Sequence, residues 1–87
     1  MKISTKGRYA LRILADIAEH GIEKNVPIRE IAERQGFSDK YLEGIVSRLS
    51  SAGLVKSGRG KYGGYRLVKS PSEYNVYEIL YAAEDSI

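Results

Sequence analysis

Arg59 and Lys61 flank Gly60, just before Tyr62, inside the glycine-rich run Gly58–Gly64. Cations alternating with glycine on a flexible tip suit the binding of a polyanion. They belong to a wider bias. Residues 44–69 hold Arg48, Lys56, Arg59, Lys61, Arg66 and Lys69 without one Asp or Glu. Across residues 1–69 all fourteen Lys and Arg stand against seven acids, a surplus of seven. The last eighteen residues carry four acids and no cation, which brings the net charge to +3. Such a local excess is the electrostatic footprint of a nucleic-acid surface, and on charge alone a solvated basic surface is the other reading.

The remaining residue types exclude most other chemistry. His20 is the only histidine, has no acidic or cysteine partner at ligand spacing, and supports neither a metal nor a catalytic role. There is no cysteine, so the chain brings no disulfide, thiolate metal site or iron–sulfur ligand. The run Gly58–Gly64 lacks the G-x-x-x-x-G-K-[ST] pattern and is not followed by a helix, which argues against a nucleotide site. Eighty-seven residues suffice for one domain but not for an enzyme with a deep pocket. At 43% hydrophobic residues the chain reads as globular rather than disordered. No stretch is long enough to span a bilayer, and Met1-Lys2-Ile3-Ser4-Thr5-Lys6 lacks the apolar region of a signal peptide. The expected location is the cytoplasm, with no membrane partner.

Four helices and two strands must position the cations. Ser4 and Thr5 can cap a first helix running to His20-Gly21, with Ala10, Ile13, Leu14, Ile17 and Ala18 at helical spacing. Residues 22–26 are polar and without period, and read as a loop. Pro27 sets up a second helix over 28–35, where Ile28, Ile31 and Ala32 share a face, and Gly36 suits a left-handed residue beyond its end. Ser38 caps a third helix over 39–52, with the stripe Leu42, Ile45, Val46 and Leu49, and Gly53 ends it. Leu54–Ser57 and Tyr65–Val68 are strand candidates. Asn75 with Glu78 forms an Asx-type capping box for a fourth helix over 76–84, whose stripe is Val76, Ile79, Leu80 and Ala83. Tyr77 and Tyr81 flank that stripe, either packing within the molecule or meeting a partner. The predicted core is Leu11 or Ile13, with Leu14, Ile17, Ile31, Leu42, Ile45, Leu49, Leu54, Leu67 and Ile79.

Two short helices joined by Gln35-Gly36-Phe37-Ser38, followed by a hairpin with a basic glycine-rich tip, make a winged helix-turn-helix. The fold class is mainly α with a small antiparallel β-hairpin. Residues 1–87 form one such domain, with the helix-turn-helix at 28–52, the wing at 54–68 and the fourth helix at 76–84. The second helix of the pair normally enters the major groove of DNA. Its face opposite the apolar stripe carries Lys40, Glu43, Gly44, Ser47, Arg48 and Ser51. Gly44 costs roughly 1 kcal/mol against Ala in mid-helix. It either lets the backbone approach a neighbouring surface closely or is a tolerated defect. Ser47, Ser50 and Ser51 offer hydroxyls to phosphates. An arginine at the wing tip suits a narrow minor groove. A winged-helix module for protein contact, with an incidental wing, is the competing class, and salt dependence separates the two.

The chain resembles the Rrf2 family of bacterial transcription regulators. The motifs that carry the resemblance are Lys6-Gly7-Arg8-Tyr9-Ala10, Ile31-Ala32-Glu33-Arg34-Gln35-Gly36-Phe37-Ser38, Tyr41-Leu42-Glu43, Gly53-Leu54-Val55, and Arg59-Gly60-x-x-Gly63-Gly64-Tyr65, with Pro71 and the helix Val76–Ala83 beyond. The resemblance implies a homodimer on partly palindromic double-stranded DNA, with the recognition helix in the major groove and the wing arginine in the minor groove. It matches Glu43 and Arg59 to DNA-reading residues, and puts Lys40 and Gly44 where some members have Ser and Gln. The candidate DNA contacts are Thr5, Lys6, Arg8 and Tyr9; Ser38, Lys40, Tyr41, Glu43, Gly44, Ser47 and Arg48; and Arg59, Lys61 and Tyr62. Family members normally continue with a loop, often bearing three cysteines for an iron–sulfur cluster, and a long dimerisation helix. This chain is therefore read as a fragment or a short member, monomeric or weakly dimeric by itself. Arg8 and Arg12 occupy the expected positions of a further cluster ligand, which disfavours a cluster in a longer parent. The start Lys2–Lys6 and the wing Gly60–Tyr65 look like the cluster-free repressors of cysteine metabolism in this family.

Overall fold

Ser4 sets the first element. In the computed structural model, which describes residues 3–21, 24–58 and 63–84, its hydroxyl accepts the Gly7 backbone N–H at 3.0 Å and opens helix α1, Thr5–His20. Of the two candidate caps it is Ser4 that acts, with Thr5 inside the first turn. Ala10, Ile13, Leu14 and Ile17 turn inward, so that Ile13 is the buried member of the Leu11/Ile13 pair and Leu11 only partly covered. Helix α2, Ile28–Gln35, starts after Pro27, which stands at the cap itself rather than in the first turn. It ends on Gly36, whose φ of +76° is left-handed, a conformation that favours a residue without Cβ. Ser38 then accepts the Tyr41 backbone N–H at 3.2 Å and opens α3, Asp39–Ser51.

The hairpin pairs β1, Val55–Gly58, with β2, Gly64–Leu67, in antiparallel register, Val55 opposite Leu67 and Gly58 opposite Gly64. Both strands are displaced by one residue from their sequence assignments. The segment read as a loop over 22–26 needs a larger correction. Ile22 and Glu23 lie outside the described residues, but Val26 is 1% exposed and bridges Tyr65 by reciprocal backbone hydrogen bonds of 2.8 and 2.9 Å. Gly64 makes the bridge feasible, because a Cβ there would lie 2.5 Å from the Val26 carbonyl group. After a 3₁₀ turn at Pro71–Glu73, α4 spans Val76–Glu84. The anticipated capping box is formed in part: the Asn75 side-chain oxygen accepts from Tyr77 N at 2.7 Å rather than from Glu78 N, and Glu78 accepts from Asn75 N at 3.5 Å.

The core lies between α1, α2, α3 and the base of the hairpin, with α4 packed on α1. Leu42, Ile45, Val46 and Leu49 are all buried while Ser47 is exposed, as the helix phase requires. Each such aliphatic side chain contributes roughly 1.5–3 kcal/mol by leaving water. Leu67, expected in the core, is only partly buried against it. Tyr74 closes the base of the hairpin: its hydroxyl donates to the Leu54 carbonyl at 2.6 Å and accepts the Val68 N–H at 3.0 Å.

Candidate nucleic-acid interface

Burial of one α3 stripe leaves the opposite face to solvent. Lys40, Tyr41, Glu43, Gly44 and Ser47 are exposed there, and a Cβ built on Gly44 meets nothing within 4 Å among the described residues. Lys6, in the first turn of α1, comes alongside. Lys6, Lys40, Tyr41, Gly44, Ile45 and Arg48 line one open groove of about 370 Å³. Residues 34 or more positions apart in sequence thus share a cationic concavity floored by the bare helix backbone. Thr5 and Arg8 are exposed on the same stretch of α1, and Ser38 is exposed with its oxygen already engaged as the α3 cap.

Two candidates stand differently from the sequence reading. Arg48 is half-buried, and its Nη1 donates to the Ala83 carbonyl at 3.2 Å, so it borders the groove while tying α3 to the last turn of α4. Tyr9 is also half-buried. Its ring packs 4.2 Å from that of Phe37 and meets Tyr41 edge-on at 5.7 Å, linking α1 to the turn and to the start of α3. Arg59, Lys61 and Tyr62 lie outside the described residues, so the wing tip remains an expectation from sequence. Of the basic run 44–69, Lys69 is paired with Glu78 at 2.8 Å. That hydrogen bond holds the Glu78 carboxyl below the usual carboxylate range.

Lys56 and Arg66 were counted in the basic run but not among the candidate DNA contacts. They face each other directly across the hairpin and are both exposed. Directly opposed like charges destabilise a ribbon and suit an anionic neighbour. Period-two alternation would have placed each on the outer face, but their pairing depends on the register. A second omission is Asp16, 2% exposed in α1. Arg34 donates to it from Nη2 at 2.7 Å and Nε at 3.0 Å, and Gln35 from Nε2 at 2.9 Å. Burial pushes the Asp16 carboxyl up, but the Arg34 and Gln35 hydrogen bonds and the Arg34 and His20 charges outweigh it and hold it below the ordinary range. His20 therefore does have an acidic neighbour, with Nδ1 3.6 Å from Asp16 Oδ1, contrary to the sequence reading.

Three helices, the short turn at Gly36–Ser38 and the hairpin define a winged helix-turn-helix of the kind found in transcription regulators. The chain belongs to the Rrf2 family, whose model, described as an iron-dependent transcriptional regulator, matches residues 3–87. HTH-type transcriptional regulator IscR of Photorhabdus laumondii is 47% identical over 87 residues, covering 100% of this chain and 53% of that protein. Protein rrf2 of Nitratidesulfovibrio vulgaris is 45% identical over 85 residues, covering 98% and 57%. Among solved structures, CymR (YrzC), the global cysteine regulator of B. subtilis, superposes with a TM-score of 0.91 at 44% identity, covering 100% of this chain and 67% of that one. IscR of T. potens gives 0.85 at 45% identity, covering 94% and 60%. The chain spans about half the length of the curated relatives it matches.

The residues of this chain do not fit the iron that the family description implies. The sequence has no cysteine, and no group of three or more His, Cys, Asp or Glu comes together among the described residues. The carboxylate beside His20 is already taken by Arg34 and Gln35. Nor is any described helix long and apolar enough to cross a membrane.

Proposed function

We propose that residues 1–87 form one sequence-specific DNA-binding domain of a cytoplasmic transcription regulator, which acts as a homodimer on a partly palindromic operator. In this reading α3 lies in the major groove with Lys40, Glu43, Gly44 and Ser47 towards the bases. Lys6, Arg8, Thr5, Tyr9, Ser38, Tyr41 and Arg48 serve the sugar–phosphate backbone, joined by Lys56 and Arg66. Arg59 reaches the minor groove, with Lys61 and Tyr62 beside it. The observation that carries the reading is the groove shared by Lys6 of α1 and the open face of α3. Pairing about a twofold axis would set two recognition helices one DNA turn apart, roughly 34–36 Å. An iron–sulfur cluster in a longer protein is disfavoured, because Arg8 and Arg12 stand where the family resemblance puts a further ligand. The start Lys2–Lys6 and the wing Gly60–Tyr65 support the branch of cysteine-metabolism repressors that work without a cluster, and one solved relative is the global cysteine regulator CymR.

Fluorescence anisotropy with a duplex selected by this chain from a random library tests the reading. The log of affinity should fall against the log of salt with a slope of about −0.9 per phosphate neutralised. Arg59→Ala should lose roughly 1–3 kcal/mol of specific binding, and Lys61→Ala a smaller amount on every duplex alike. Affinity indifferent to salt, or both variants binding like the parent, contradicts it.

A further inference from the structure

We propose that Arg12 is a positioning residue for DNA reading: it holds the turn between α2 and α3 against α1 and thereby fixes the tilt at which α3 presents its open face. The proposal rests on the DNA-binding function above and deepens it.

Arg12 is an exposed cation on α1, and by charge and place it would pass for one more phosphate contact. Its guanidinium is already committed. Nε donates to the Gln35 side-chain oxygen at 3.1 Å, and Nη2 donates to the Gln35 backbone carbonyl, also at 3.1 Å. Gln35 is the last residue of α2. Carbonyls in that turn lack an intrahelical partner, and the helix end carries partial negative charge, so a cation there satisfies both. The guanidinium carbon also lies 5.0 Å from the Phe37 ring centroid and 5.4 Å from that of Tyr9, within cation–π range.

The contacts close a clamp. One turn further along α1, Asp16 accepts from the Gln35 amide at 2.9 Å, so α1 grips the last residue of α2 from two sides. Two residues on, Phe37 is held by Arg12, by Tyr9 of α1 and, edge-on at 6.3 Å, by Tyr41 of α3. Only Gly36, Phe37 and Ser38 separate α2 from α3. A connection that short, pinned at both ends, leaves α3 little freedom to rotate against α1. Base reading needs that restraint, because a binding constellation tolerates only about 10–20° of misorientation. Lysine cannot stand in, since an ammonium is a point charge with neither the fork for two oxygens nor a flat face for two rings.

The experiment compares the parent chain with Arg12→Lys and Arg12→Ala on two probes: the duplex the parent selects from a random library, and a scrambled duplex of equal length and composition. Both variants should bind the scrambled duplex as the parent does, with the same salt slope. Their preference for the selected duplex should fall about tenfold, the worth of one good base contact, and lysine should not rescue it. Partial unfolding of a variant lowers binding to both probes alike and leaves the ratio readable. If Lys restores the parent's behaviour while Ala loses about one unit of salt slope on both probes, Arg12 is a phosphate contact and the proposal is overturned. Unchanged preference in both variants overturns it as well. A parent that selects no sequence refutes the DNA-binding function itself, and the positioning role falls with it before any variant is made.

Discussion

Asp16 is the one buried charged side chain among the described residues, and its cost is met by partners rather than by neutralisation. Removing one member of a buried pair leaves the other uncompensated. Arg34, with its side chain 32% exposed, can rehydrate in part, so Asp16→Asn should cost about 2–3 kcal/mol at pH 7, read by urea unfolding. The pH dependence has a definite sign. A carboxyl held below its unfolded value, about 4, contributes its full stability above that value and loses it as pH falls through the folded value. The gap between parent and variant should therefore be constant above pH 5 and shrink below pH 4; a gap unchanged down to pH 2 contradicts the ion pair. Nothing local in the sequence marks Asp16. An acid on an amphipathic helix reads as solvated, and its partners Arg34 and Gln35 are eighteen and nineteen residues away.

Among the elements, helices were legible because their signals are local. Ser4, Ser38, Asn75 and Gly36 each act within a few residues of where they stand, and the α3 stripe fixes which face is buried. The bridge from Val26 to Tyr65 was not legible, since a single buried valine in a polar stretch has no period and its partner lies 39 residues on. The same distinction separates the groove from its parts: the α3 face follows from helix phase, whereas Lys6 joins it only through the packing of α1. Gly44 tests what that face is for. With nothing within 4 Å of a Cβ, Gly44→Ala should raise stability by about 0.5–1 kcal/mol. It should also weaken binding to the selected duplex if the bare backbone approaches the groove wall. Thermal unfolding and anisotropy on one preparation read both effects. A stabilised variant that binds as well as the parent would make Gly44 a tolerated helix defect.

For the molecule as a whole, charge separates by position, with a basic first 69 residues and an acidic end. The structure refines that picture by spending Lys69 on Glu78 and turning Arg48 towards Ala83, while Lys6, Arg8 and Lys40 beside the groove, and Lys56 and Arg66 on the hairpin, are exposed. Cations of this kind supply affinity without sequence; the exposed α3 side chains must supply the sequence. Glu43 is the sharpest case, because an exposed carboxylate facing a polyanion is repelled unless it accepts from a base, as it can from a cytosine amino group. Selection from a random duplex library, run in parallel with the parent and Glu43→Ala and read by sequencing, decides whether α3 reads DNA. The parent should enrich one motif, and the variant the same motif with its preference relaxed at one or two positions where the parent requires a C·G pair. No enriched motif for the parent, or motifs identical at every position, would contradict the assignment of α3 as the helix that reads DNA.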